Sequence, residues 1–188
     1  MNPNRRTDEE LVAAALTHKE AFAGVMERYE PRLRRYMHRI TNRTESEIDD
    51  LLQETFIKAY RYLNSYDASF PFSSWMYRIA RTVVISDHRK RTVRPEHTQV
   101  IDDDLMTTIA SDEDDPETAA IIAEHRTRVR DALESLGSDY RDALVLRYFE
   151  GKSYTEMSDI MMKPEGTIAT LLNRGKRALA DALKQYDL

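Results

Sequence analysis

The chain has 188 residues, 41% of them hydrophobic and 32% charged, the composition of one or two small soluble domains. It contains no cysteine, which excludes disulfides and thiolate metal sites, and its five histidines (His18, His38, His88, His97, His125) lack the spacing of a metal-binding helix. No run approaches the ~18 apolar residues that span a membrane, and the opening MNPNRRTDEELV has no signal-peptide core, so the expectation is a cytoplasmic protein without membrane insertion.

The net charge of −5 is unevenly spread. Residues 1–91 hold 16 basic and 13 acidic side chains, residues 92–117 hold 1 and 9, and residues 118–188 hold 11 of each. A uniformly acidic chain would argue against nucleic-acid binding, but here nearly all the excess sits in one short segment.

In chain order, Thr7 and Glu10 form a T-x-x-E capping box that opens a first helix. A second helical stretch spans about 19–40, with Phe22, Val25, Met26, Tyr29, Leu33, Tyr36, Met37 and Ile40 at helical spacing. Pro31 within it either kinks the helix or starts its second half. Thr44 and Glu47 make another box and start a third helix near residue 45. Its apolar face is Leu51, Leu52, Thr55, Phe56, Ala59, Tyr62 and Leu63, and its polar face carries Asp49, Asp50, Gln53, Glu54, Lys58 and Arg61. Residues 64–71 break the pattern, ending on a proline between Phe70 and Phe72. A basic-aromatic helix follows, with Trp75, Tyr77, Arg78, Arg81, Arg89, Lys90 and Arg91. An acidic helix face suits a basic protein partner, while aromatic and basic residues together suit unstacked single-stranded nucleic acid. Trp75 and Ile79 read as core, and Phe70 and Phe72 as candidates to wedge or stack against a base.

Residues 92–117 carry Pro95, Pro116 and the acidic runs 102–104 and 112–115, and read as a flexible linker. A second helical domain begins near Pro116, with one helix ending before Gly137 and another over 138–150 ending at Gly151. Ser153 and Glu156 form a third capping box, opening a short helix through about residue 161. The turn 163–166 leads into a long helix to about residue 185, so the arrangement is a helix-turn-helix. Ile168, Leu171, Leu172, Gly175 and Leu179 face the core in this reading. Gly166, Ala169, Thr170, Asn173 and Arg177 point outward, flanked by Arg174 and Lys176. A hairpin of helices without any DNA role would show the same pattern. No alternation of β-branched residues and no internal repeat appears, so the fold class is all-α, in two small helical domains.

D-D-L-L-Q-E-T-F at 49–56, F-x-x-W-x-Y-R-I-A-R at 72–81, D-H-R-K-R at 87–91 and then the helix-turn-helix together resemble the extracytoplasmic-function (ECF) sigma factors of bacteria, over nearly the whole chain. The resemblance implies an N-terminal sigma domain over 1–91, an acidic linker over 92–117 and a C-terminal sigma domain over 118–188. It implies that Asp49, Asp50, Gln53 and Glu54 dock on the coiled-coil clamp of core RNA polymerase. Phe70, Phe72 and the start of the next helix would capture a base flipped from the minus-ten element, with Arg78, Arg81, Thr82, Arg89, Lys90 and Arg91 along the promoter DNA. The helix-turn-helix would read the minus-thirty-five element through Glu165, Gly166, Thr167, Ala169, Thr170, Asn173, Arg174, Lys176 and Arg177. An anti-sigma partner is implied, and no cofactor or metal is. The linker would thread the polymerase cleft, either as a plain tether or with its acids imitating a phosphate chain.

The chain departs from the family in places. It reads G-T-I-A-T-L-L-N-R-G-K where G-T-V-K-S-R-L-H-R-A-R is common, so Ala169 and Leu171 stand at frequently basic positions. Every basic group missing from the phosphate backbone flattens the log–log salt dependence of binding by about 0.9. Weak duplex binding is the expectation, with Thr170 and Asn173 as base readers. Thr82 stands where asparagine is frequent. No nucleotide-binding loop or nucleophile–base pair is present, so an enzyme is not expected. A stand-alone helix-turn-helix regulator and a helical interaction adaptor are the other two classes, each accounting for only one end of the chain.

Overall fold

The computed structural model describes residues 6–93 and 116–184, and every regular element among them is helical. The N-terminal half holds α1 (Asp8–Thr17), α2 (Phe22–Ile40), α3 (Glu45–Tyr62) and α4 (Phe72–Val93), with short 3-10 turns at Lys19–Ala21 and Leu63–Ser65. The C-terminal half holds α5 (Pro116–Glu134), α6 (Ser138–Tyr148), α7 (Tyr154–Met161) and α8 (Glu165–Lys184). The acidic linker falls largely outside the described residues.

Three helix starts are set by local chemistry. Glu10 N donates to Thr7 Oγ1 at 3.2 Å, and Thr7 N donates back to Glu10 Oε2 at 2.9 Å. The reciprocal pair recurs at Thr44 and Glu47, at 3.4 and 2.9 Å, and at Ser153 and Glu156, at 3.2 and 2.9 Å. Each box satisfies two of the amides that a helix start leaves without partners. Pro31 neither ends nor divides α2, which runs unbroken through it. Pro31 and Glu27, whose carbonyl lacks the proline N–H as donor, are both exposed, so water can serve that carbonyl.

The N-terminal core is aromatic. Tyr29 and Phe72 meet edge to face at 5.5 Å, Phe72 stacks on Trp75 at 5.4 Å, and Tyr66 closes on both rings. The Tyr29 hydroxyl donates to Asp8 Oδ2 at 2.5 Å, which ties α1 to α2. Two expected core positions differ. Tyr62 is exposed where α3 ends and the chain tightens into a 3-10 turn, while its neighbour Leu63 is buried as expected. Met26 sits at the edge of the α2 stripe and is also exposed.

In the C-terminal half, Ile168, Leu172 and Gly175 are buried, and Leu171 and Leu179 pack against the core from its edge. A Cβ on Gly175 would stand 3.4 Å from Leu144 and Tyr140, which measures how closely α8 approaches α6. The turn between α7 and α8 places Met162 at φ 54, with the amides of Met162 and Lys163 both donating to Ser158 O. The two halves pack together through α4 against α7 and α2 against α6.

Candidate nucleic-acid interface

The capping box at Thr44 fixes where α3 begins, and so which of its faces meets solvent. Ile48, Leu51, Leu52, Thr55, Phe56 and Ala59 face inward, which leaves Asp49, Asp50 and Gln53 exposed, with Glu54 half-buried beside them. Asp49 Oδ1 pairs with Arg34 at 2.7 Å and Glu54 with Lys58 at 2.8 Å. The patch is an acidic surface on the solvent side of the N-terminal half of α3.

The segment 64–71 is ordered by its own hydrogen bonds. Ser69 N donates to Asp67 Oδ1 at 2.9 Å, Phe70 N to Asp67 O at 3.2 Å, and the Tyr66 hydroxyl to Phe70 O at 2.5 Å. The bond from Ser69 holds the Asp67 carboxyl below its ordinary range. The loop divides the two phenylalanines that the sequence paired: Phe70 is 46% exposed, whereas Phe72 is 2% exposed within the aromatic cluster. As the protein stands, Phe72 offers no ring face to a base.

The basic residues of α4 also separate into groups. Arg89 and Lys90 are exposed, and Thr82 is exposed with its hydroxyl donating to Arg78 O at 2.8 Å. Arg91 pairs with Glu47 at 2.6 Å and Asp87 at 3.3 Å. Arg78 and Arg81 turn toward the C-terminal half. Arg78 meets Asp159 at 2.7 Å, and Arg81 bonds Asp142 through Nε and Asp139 through Nη2 at 3.3 Å. The Tyr36 hydroxyl donates to Asp142 Oδ1 at 2.7 Å. Burial pushes the Asp142 carboxyl up, opposed by Arg81 and Tyr36, and burial beside that carboxylate lifts the Tyr36 phenol well above its usual range. Burial and Glu150, which accepts from the Tyr77 hydroxyl at 2.5 Å, raise Tyr77 likewise.

Sequence reasoning passed over Asp142, Glu150 and Asp159. One signal existed for Asp142: it lies on the buried side of α6 beside the run Ala143, Leu144, Val145, Leu146, where a lone acid needs a partner.

On the helix-turn-helix, Gly166, Thr167, Thr170, Asn173, Arg174, Lys176 and Arg177 are exposed along α8, and Ala169 is half-buried. Thr170 Oγ1 donates to Gly166 O at 2.9 Å, and Glu165 Oε1 accepts from Thr155 at 2.7 Å, which ties the start of α8 to α7. Lys176 Nζ lies 5.7 Å from the Tyr148 ring centre. The exposed side of α8 is a polar and cationic strip of the kind that enters a major groove.

A four-helix N-terminal half with an acidic helix face is thus followed by a half built around a helix-turn-helix. Residues 25–94 match the Sigma-70 region 2 family model and residues 126–179 match Sigma-70, region 4. The chain is 30% identical over 172 residues to the ECF RNA polymerase sigma factor SigW of Bacillus subtilis, covering 88% of this chain and 90% of that one. It is 30% identical over 183 residues to the ECF RNA polymerase sigma-E factor of Haemophilus influenzae, at 95% and 96% coverage. The protein belongs to the ECF RNA polymerase sigma factors. Its fold is shared with the sigma factor RpoE of Bartonella quintana, solved with the anti-sigma factor NepR, at TM-score 0.69 and 22% identity over 87% of this chain and 96% of that one. CnrH, solved with the cytosolic domain of CnrY, aligns at TM-score 0.68 and 21% identity over 95% and 97%. No helix among the described residues is long and apolar enough to cross a membrane.

Proposed function

We propose that this sigma factor binds bacterial core RNA polymerase in the cytoplasm and directs it to a specific set of promoters, without enzymatic activity of its own. Residues 1–91 act as the polymerase-docking and minus-ten domain, 118–188 as the minus-thirty-five domain, and 92–117 as the connection between them. Docking runs through Asp49, Asp50, Gln53 and Glu54, whose charge sets orientation and on-rate more than raw affinity. Phe70, exposed on an ordered loop at the start of α4, stacks on a base taken out of the duplex. Arg78, Arg81, Arg89, Lys90 and Arg91 then follow the strand. The exposed strip of α8 reads duplex DNA, with Thr170 and Asn173 toward base edges and Arg174, Lys176 and Arg177 toward phosphates.

The observation that carries this reading is the pairing of both sigma-70 regions, in order, on a chain whose acidic α3 face and Phe70 are both open to solvent. CnrH and RpoE were solved with CnrY and NepR, and by extension a protein inhibitor of this class holds this chain inactive in the cell. Run-off transcription with purified core polymerase on a promoter library tests the reading. Specific transcripts that appear only with the protein added are expected. Their absence, together with a duplex shift by the protein alone, would instead identify a stand-alone regulator.

A further inference from the structure

The exposed strip of α8 is not uniform in what it can donate. Its cations stand late in the helix: Arg174, Lys176 and Arg177 all lie beyond its first two turns. Lys176 is also engaged with the Tyr148 ring of α6 at 5.7 Å. Lys163, just before the helix, turns back to Asp139 at 3.3 Å. A recognition helix touches base edges with its N-terminal residues, and the stretch 165–173 that would do so holds no cation.

Within that stretch the side chains differ in what they have already bonded. Glu165 offers acceptors only, and one of its oxygens is taken by Thr155 at 2.7 Å. The Thr170 hydroxyl spends its proton on Gly166 O at 2.9 Å, which leaves a methyl and a lone pair for a base. Ala169 brings only a methyl. Thr167 lies about 120° round the axis from Asn173, off the centre of the strip. Asn173 is exposed, and its carboxamide has no hydrogen-bond partner among the described residues. Gly166 stands about two turns before it on the same side, where an added Cβ would meet nothing, so no side chain there holds the helix away from a groove floor.

Guanine presents two acceptors in the major groove, O6 and N7, and a fork of donors reads it best. Adenine presents an acceptor at N7 and a donor at N6, which the NH2 and C=O of an asparagine match together. We propose that Asn173 is the residue through which this chain selects its minus-thirty-five element. It takes an adenine through N6 and N7, with the Thr170 methyl, one turn earlier, against the C5-methyl of a neighbouring thymine. Guanine is rejected at that position because either orientation of the carboxamide sets its C=O against O6 or N7, acceptor against acceptor. Arg174 and Arg177 are left for the phosphates, which hold the helix in place without reading sequence. This inference deepens, and rests on, the duplex-reading role proposed for α8.

Run-off transcription with core polymerase and the full chain, on promoters randomised across the minus-thirty-five element, reads the preference position by position. The native chain should enrich adenine at one position by roughly 5- to 150-fold, the discrimination of one good bidentate pair. Asn173→Ala should flatten that position alone. Thr170→Ser, which keeps the hydroxyl and drops the methyl, should flatten thymine at a neighbouring one. Placing 7-deazaadenine at the selected position removes the N7 acceptor without touching the protein. It should lower the yield of the native chain and leave that of Asn173→Ala unchanged. A uniform loss by Asn173→Ala on every promoter would make Asn173 a phosphate or structural contact and overturn the proposal. Flattening at a guanine or cytosine, or at no position, would overturn it too, with the sigma role intact. Failure of the native chain to direct any specific transcript would overturn the functional reading itself.

Discussion

Phe70 and Phe72 are two residues apart and chemically identical, yet the fold gives them opposite work. Phe72 lies between Tyr29, Tyr66 and Trp75, and truncating it removes the centre of that cluster. Phe72→Ala should cost about 3–5 kcal/mol of stability, read as a lowered denaturation midpoint. Phe70→Ala should move stability by less than about 0.5 kcal/mol and instead weaken single-strand binding of the polymerase complex by about 1–3 kcal/mol, the worth of one base–aromatic stack. Equal stability losses from the two would contradict this division. Met162 offers a second test at this scale. Its backbone is left-handed at φ 54 and its side chain is 76% exposed, so it carries strain with little packing in return. Met162→Gly should stabilise the chain by about 0.5–1 kcal/mol once glycine's own entropy cost is subtracted. A lower thermal midpoint would show that the methionine has a contact that outweighs the strain.

At the scale of an element, the capping boxes explain both the helix starts and an expected pH response. Burial alone would raise the carboxyls of Glu47 and Glu156. The hydrogen bonds from Thr44 and Ser153, together with the charges of Arg91 and Arg43 near Glu47 and Lys152 beside Glu156, jointly outweigh it and hold both below the ordinary carboxylate range. A carboxyl depressed in the folded state adds stability that is fully present above its unfolded pKa, about 4.3, and is lost as pH falls through the folded value. Glu156→Gln can still accept the Ser153 amide but cannot titrate. Its stability deficit relative to the native chain should be constant above about pH 5 and shrink as pH drops toward 3. Denaturant titrations across that range measure it, and a deficit that stays flat would remove Glu156 from the acid response. The same boxes were readable from three-residue spacings, because the interaction closes within a single helical turn. The end of α3 was less readable: periodicity carried Tyr62 and Leu63 inward together, but only Leu63 is buried where the helix gives way to the 3-10 turn at Leu63–Ser65.

Across the whole molecule, the contact between Tyr36 and Asp142 joins residues 106 apart in sequence. Tyr36→Phe removes the hydroxyl without changing the ring's place in the core, and leaves the buried Asp142 one donor short. The loss should be about 1–3 kcal/mol in the full chain's unfolding free energy. No loss would mean that water or Arg81 replaces the phenol. Local information in the chain determined the all-α class, the helix starts, the apolar stripes of α2 and α3, and the helix-turn-helix with Ile168, Leu172 and Gly175 inward. These follow from spacings of three and four residues and from side chains that bond their own backbone. Only the tertiary structure decided that Phe72 is core while Phe70 is not, and that Arg78 and Arg81 face Asp159 and Asp142 rather than solvent. The physical reason is range. Periodicity assigns a residue to a face, but what that face meets depends on how distant helices dock, and an arginine has the same sequence signature whether a phosphate or a carboxylate answers it.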